Sequence, residues 1–129
     1  MALVFCGGCG HKGIEGRWQL VKFCYGPDCI GMPERGLMQY WKFEGSPMEV
    51  AGATDGSETY KKGHQYQEGV MDQDVGWRIN ATCDTLFLVN PTGTLADTQI
   101  VTRLDKDTLV LSSMLNNIQV CQHFVRAKN

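Results

Sequence analysis

Six cysteines, three histidines and a scatter of hydroxyl and acidic residues are the groups in this sequence able to do chemistry. Cys6 and Cys9 are separated by two residues and followed by Gly10. That is the half-site in which two thiolates grip one tetrahedral zinc ion. A complete site needs two more ligands, and the nearest are Cys24 and Cys29, or His11; no second Cys-x-x-Cys follows. His11, His64 and His123 have neither His-x-x-x-His nor His-Glu-x-x-His spacing. Ser57, Ser112 and Ser113 lack the Gly-x-Ser-x-Gly elbow of a hydrolase nucleophile. There is no phosphate loop and no dinucleotide fingerprint. The acidic residues fall mostly at turns, where Asp is a good turn former. Beyond the zinc half-site, these patterns predict no metal, no cofactor and no catalytic residues. They point to a binding or interaction protein rather than an enzyme.

The N-terminus carries two further readings. Ala2-Leu3-Val4-Phe5 followed by Gly7-Gly8-Cys9 has the form of the end of a bacterial lipoprotein signal: an apolar stretch, small residues, then the cysteine that receives the lipid. The apolar run is only about half of the roughly 7–15 residues of a complete one. On this reading residues 1–13 are a truncated signal, Cys9 is the lipidation site, and the protein is anchored by lipid at the cell envelope. On the other reading, residues 1–13 are a disordered tail with incidental cysteines. Loss of Cys6 by cleavage and use of Cys9 for lipid leave Cys24, Cys29, Cys83 and Cys121. An even number in an exported protein suggests two disulfides, with three connectivities open. Cys24 with Cys29 would close a small loop, and Cys83 with Cys121 would join two strands. Buried free thiols are the alternative.

The composition bounds the rest. A chain of 129 residues fits one domain, here residues 14–129. At 43% hydrophobic and 20% charged it belongs with globular proteins, not disordered ones. A net charge of −2 argues against a nucleic-acid partner, which needs a dense basic face. No apolar run reaches the roughly 18 residues of a membrane-spanning helix.

From residue 15 onward the pattern has a period of two, broken by turn residues. Strands are predicted over Arg17–Cys24, Leu37–Phe43, Met48–Ala53, Gly76–Thr82, Thr85–Asn90, Thr98–Leu104, Thr108–Ser112 and Ile118–Arg126. Gln39, Trp41 and Phe43 share a face, as do Ile100, Thr102 and Leu104. Tyr25–Pro33 reads as a loop and Glu44–Pro47 as a turn. Thr59–Val70, polar and containing Gly63 and Gly69, reads as a solvent-facing or edge strand. Eight or nine short strands joined by tight turns predict an all-β, antiparallel up-and-down barrel of about eight strands, because closure removes the unpaired edges.

Gly16-Arg17-Trp18 at the start of the first strand, together with Arg126 at the end of the last, resembles the lipocalins and the wider calycin group. Tyr40–Ser46, Asp84–Leu88 and Leu104–Leu111 are similar to segments of short lipocalin-like domains of exported bacterial proteins. The resemblance covers residues 14–128. It implies a barrel closed at one end by Trp18, with Arg126 packed across it and Gly16, Trp18 and Arg126 as the signature. It also implies a cup for a small apolar ligand. Trp41, Phe43 and Trp77 are the candidates for the lining, if they are not simply core. The resulting expectation is an envelope lipoprotein that binds an apolar ligand or serves as a surface interaction module, its protein partner unspecified. A structural barrel without a cavity and a cytosolic zinc adaptor are the alternatives.

Overall fold

The computed structural model describes residues 11–31, 39–48, 60–93 and 96–127. A single helical turn, α1 (His11–Ile14), precedes nine strands. These are β1 (Gly16–Tyr25), β2 (Asp28–Gly31), β3 (Gln39–Met48), β4 (Tyr60–Gln67) and β5 (Met71–Ile79). They continue as β6 (Thr85–Val89), β7 (Ala96–Leu104), β8 (Thr108–Leu115) and β9 (Ile118–Arg126). Every pairing is antiparallel, and β9 returns to β1. Eight strands therefore form a closed barrel, and β2 is an extra strand. Closure satisfies the backbone groups that an open sheet would leave at its edges.

β1 serves three neighbours. Its first half, Gly16–Gln19, pairs with β3, and its second half, Lys22–Tyr25, with β2. Its other edge pairs with β9 from Trp18 to Tyr25. Of the predicted loop Tyr25–Pro33, the described part, Tyr25–Gly31, is instead a hairpin, and Met32 and Pro33 lie outside the described residues. Gly26 and Pro27 make a tight turn and Asp28–Gly31 returns as a strand.

Several other boundaries differ from the sequence reading. β3 runs through Glu44–Pro47, since a register irregularity between Phe43 and Pro47 lets the strand absorb the proline. β4 is paired on both sides and is not an edge. Its polarity has another cause, described below. β5 begins at Met71, five residues before the predicted start. In β7 a bulge at Thr102 resets the alternation. Gln99, Val101 and Leu104 thus face inward with Leu86, Leu111 and Leu109, whereas Ile100 is exposed. The predicted Asn116-Asn117 turn is present, with both residues at positive φ as a two-residue hairpin requires.

The core fills the half of the barrel where β1 begins and β9 ends. Trp18, Trp77, Phe43, Phe124, Ile14, Leu20, Leu86, Leu109 and Leu111 are essentially without exposure. Gly63 makes room for it: a Cβ there would lie 3.2 Å from Trp77 Cδ1 and Val75 Cγ2, and 3.0 Å from the Lys42 carbonyl oxygen.

Candidate functional site

The interior divides into a sealed floor and a polar half. The floor is built from Trp18. Its indole Nε1 donates to the Ile14 carbonyl at 2.8 Å, so α1 is tied to the barrel end. The Arg126 guanidinium lies 4.2 Å from the Trp18 ring centroid, within cation–π range. Its three nitrogens also donate to backbone carbonyls: Nε to Lys106 at 2.8 Å, Nη1 to Glu15 at 2.7 Å and Nη2 to Gly13 at 2.9 Å. One planar fork thus joins the entry segment, the β7–β8 turn and the last strand, which a lysine ammonium cannot do. Gly16 is part of this arrangement. Its φ is +125°, and a Cβ would stand 2.6 Å from Arg126 Nη1.

Trp41, Phe43 and Trp77, named as lining candidates, all face inward and pack on one another. Phe43 meets Trp77 edge-on with centroids 5.4 Å apart, and Trp41 lies 5.2 Å from Phe124 and 6.2 Å from Phe43. The Trp77 indole donates to the carbonyls of Glu44 and Lys62 at 3.0 and 2.9 Å. Phe43 and Trp77 belong to the floor, with no surface turned to an open space. Trp41 pairs with Gln65 on β4, and Trp77 pairs with Lys61, whose ammonium lies 5.7 Å from its ring centroid. Tyr60 and Phe87 lie on the outer face, where the Arg78 guanidinium stacks over both rings.

Beyond Trp41 the interior changes character. Residues directly opposite in an antiparallel pair point to the same face, so the register assigns each side chain. The row Trp18, Trp41, Gln65, Gln73 runs across β1, β3, β4 and β5. It starts at the floor and ends at an exposed residue, because barrel strands tilt. Gln39 faces inward beside Trp41 and pairs with Gln67. Gln99 pairs with the core residue Leu86, and Asp97 with Leu88. Gln122 pairs with Leu111 and Phe23. Glutamines thus occupy inward positions on β3, β4, β5, β7 and β9. On the same half, β1, β8 and β9 contribute Phe23, Tyr25, Ser113 and Val120. Inward glutamines and apolar side chains thus share this half of the interior.

The amides of Gln65, Gln73 and Gln99 are hydrogen-bonded. Gln73 Nε2 donates to Gln65 Oε1 at 3.0 Å, and Gln99 Nε2 donates to Asp97 Oδ2 at 2.7 Å. Gln99 Oε1 is buried and has no partner. No inward position on this half carries a Lys or Arg among the described residues. The sequence reading did place Gln39 on the Trp41–Phe43 face, and Gln-x-Trp, Gln-x-Val and Gln-x-Phe recur in β3, β7 and β9. That inward-phase recurrence is the signal that was missed.

The outer face holds the remaining titratable features. His64 on β4 is clamped by two carboxylates of β5, with Nδ1 2.9 Å from Asp74 Oδ1 and Nε2 2.6 Å from Asp72 Oδ1. The hydrogen bond to Asp74 raises its pKa above the ordinary value; Asp72 adds to this, while partial burial opposes it. His123 on β9 is shifted downward, first by burial and then by the Lys22 charge. Among the described residues no three His, Cys, Asp or Glu side chains are placed to hold a metal ion.

The cysteines differ from one expectation. Cys24 and Cys29 face each other across β1 and β2 and form a disulfide. This removes Cys24 and Cys29 as the thiolates that would complete the zinc half-site. Cys83 and Cys121 are not joined: Cys121 is a free thiol, and Cys83 is disulfide-bonded elsewhere. The register explains the failure, because Cys121 on β9 lies opposite Cys24, already committed to Cys29, and Cys83 lies in the turn after β5. Cys9 and the signal reading lie outside the described residues. No helix among the described residues is long and apolar enough to cross a membrane. No protein-family model, curated protein or solved structure matches this chain.

Proposed function

We propose that this protein is a lipocalin-like barrel of the bacterial cell envelope that binds a small molecule in its polar half. The observation that carries the reading is the asymmetry of the interior. One end is sealed by Trp18 under Arg126. The other is lined by inward glutamines, one of which holds an unused acceptor. A barrel built only for stability has no use for that acceptor, since buried polar groups are stabilising only when paired. The Gly16, Trp18 and Arg126 cluster supports the lipocalin-like assignment. The Cys24–Cys29 disulfide supports an oxidising compartment.

A second reading, a surface interaction module, draws on one feature. Met114, Leu115 and Ile118 project from the β8–β9 hairpin, 66%, 52% and 36% exposed. The deciding experiment is a native mass spectrum of the protein isolated without reductant from the cells that make it. The proposal expects a chain two hydrogens lighter per disulfide, with a small molecule lost on gentle activation. A chain with no bound species would overturn it.

A further inference from the structure

We propose that this protein carries a thiol relay: the Cys121 thiolate exchanges with the Cys24–Cys29 disulfide, and the thiol released at Cys29 is a modification site that captures a low-molecular-weight disulfide. The relay is built on a row of three cysteines. Cys29, Cys24 and Cys121 lie directly opposite one another on β2, β1 and β9. Cys24 and Cys29 are bonded, and Cys121 is free. Residues opposite one another across antiparallel strands point to the same face. The free thiol therefore lies beside the disulfide, on the same side of the sheet. The other register neighbour of Cys121 is Ser112 on β8, so Cys24 holds the only adjacent sulfur among the described residues.

The row also fixes the direction of exchange. A thiolate displaces one sulfur of a disulfide from the other, in line with the bond that breaks. Neighbouring strands lie about 4.8 Å apart, so Cys121 is one spacing from Cys24 and two spacings, roughly 10 Å, from Cys29. Only Cys24 Sγ is within its reach, and the leaving Cys29 sits on the far side of Cys24 from the attacker. The Cys121–Cys24 bond forms as the Cys24–Cys29 bond breaks, and the electron pair of the broken bond leaves on Cys29 Sγ. The proton lost by Cys121 is balanced by the one Cys29 takes up, so the step needs no oxidant. Cross-strand partners have Cα atoms about 4.5–5.5 Å apart, within the roughly 4.4–6.8 Å that a disulfide spans. The new link therefore fits the existing register. It joins β1 to β9 at the barrel seam and releases β2, which pairs only with β1 among the described residues.

Exposure separates the two thiols. Cys121 is half-buried between β1 and β8, whereas Cys29 is exposed at the end of the sheet. In the resting fold a small alkylating agent in excess caps Cys121. A bulky disulfide meets Cys29 more readily. The Cys29 thiolate attacks one sulfur of that disulfide, keeps that half as a mixed disulfide, and the other half leaves as a thiol.

The test incubates the intact protein with glutathione disulfide, without reductant, and maps the linked peptides by mass spectrometry. The expected result is glutathione on Cys29 together with a Cys24–Cys121 crosslink. Protein whose Cys121 has first been capped with iodoacetamide is expected to lose that adduct and to keep Cys24–Cys29. Glutathione on Cys121 with Cys24–Cys29 intact would overturn the relay, as would no adduct at all. Glutathione on Cys29 in the capped protein would overturn it too. Cys29→Ser, checked for native fold by circular dichroism, is expected to close a Cys24–Cys121 disulfide in air. Two thiols that stay free in that variant would show that the sulfurs of the row do not meet, and the relay would fall with them.

Discussion

Replacing Gln99 by methionine should make the protein more stable. The side chain keeps its length and loses its polar atoms. The buried Oε1 has no donor, and such a group costs about 1–3 kcal/mol in desolvation. The substitution also removes the hydrogen bond from Nε2 to Asp97. Asp97 is exposed, so water replaces that donor and the loss is about 1 kcal/mol or less. Methionine is flexible enough to fill the same space without strain. The balance is a gain of about 1 kcal/mol, a rise in Tm of roughly 3–5 °C for a domain of this size. Gln65→Met is the control, because its Oε1 already accepts from Gln73 Nε2. Its removal leaves Gln73 at the exposed end of the row, where water takes over. Near-zero change is expected. Urea unfolding of the three proteins measures both effects. A Gln99→Met protein less stable than the parent would show that Oε1 is satisfied.

Three other perturbations follow from the geometry. Arg126→Ala removes three hydrogen bonds to carbonyls and the stack on Trp18, and should cost about 2–4 kcal/mol by denaturant unfolding; Arg126→Lys should recover less than half, and full recovery would refute the role of the fork. His64 titrates higher in the fold than its ordinary value, so its contribution is complete below that value and is lost as pH rises through the raised pKa. His64→Asn should therefore be less stable than the parent near about pH 5.5 and equal to it near about pH 9; the gap stays under about 1 kcal/mol because both carboxylates are well exposed. A gap that grows with pH would contradict the assignment. Of Cys24, Cys29, Cys83 and Cys121, only Cys121 should take up iodoacetamide without reductant, as peptide mapping reads directly. Converting both Cys24 and Cys29 to serine should cost roughly 2 kcal/mol of stability, from the lost closure of a short loop.

The barrel was legible because its information is local. Period-two alternation, Asn116-Asn117, and the apolar runs of β6 and β8 each specify strand or turn without long-range help. Gly16 is a local mark of the floor, because a Cβ there would stand 2.6 Å from Arg126 Nη1. The failures share a cause. β2, the continuation of β3 through Pro47 and the start of β5 at Met71 are polar or punctuated stretches held in place by the strands they pair with. Propensity alone is a poor guide where neighbouring strands decide. The phase of β7 was inverted because one extra residue at Thr102 flips the alternation. β4 was read as a solvent-facing edge since both of its faces are polar. A polar inward face looks like an outward one until the sheet is closed around it.

That ambiguity is also what makes the interior informative. Gly63, Gln65 and Gln67 face inward on one strand, and the register carries them from the floor toward the open half within a single run. Had the barrel been selected for packing alone, Gln65 and Gln99 would be apolar, as Leu86 and Leu111 are at neighbouring inward positions. Apolar replacements there cost nothing in backbone geometry and relieve a buried acceptor. Keeping an unpaired amide oxygen in a closed barrel trades stability for something, and stability conceded at one spot commonly marks function. The floor allows the concession, since Trp18, Trp77, Phe43 and Phe124 are buried independently of the glutamines. A loss of binding without a loss of fold in Gln99→Met is therefore the expected signature of a site. Loss of both together would make the amide a structural element.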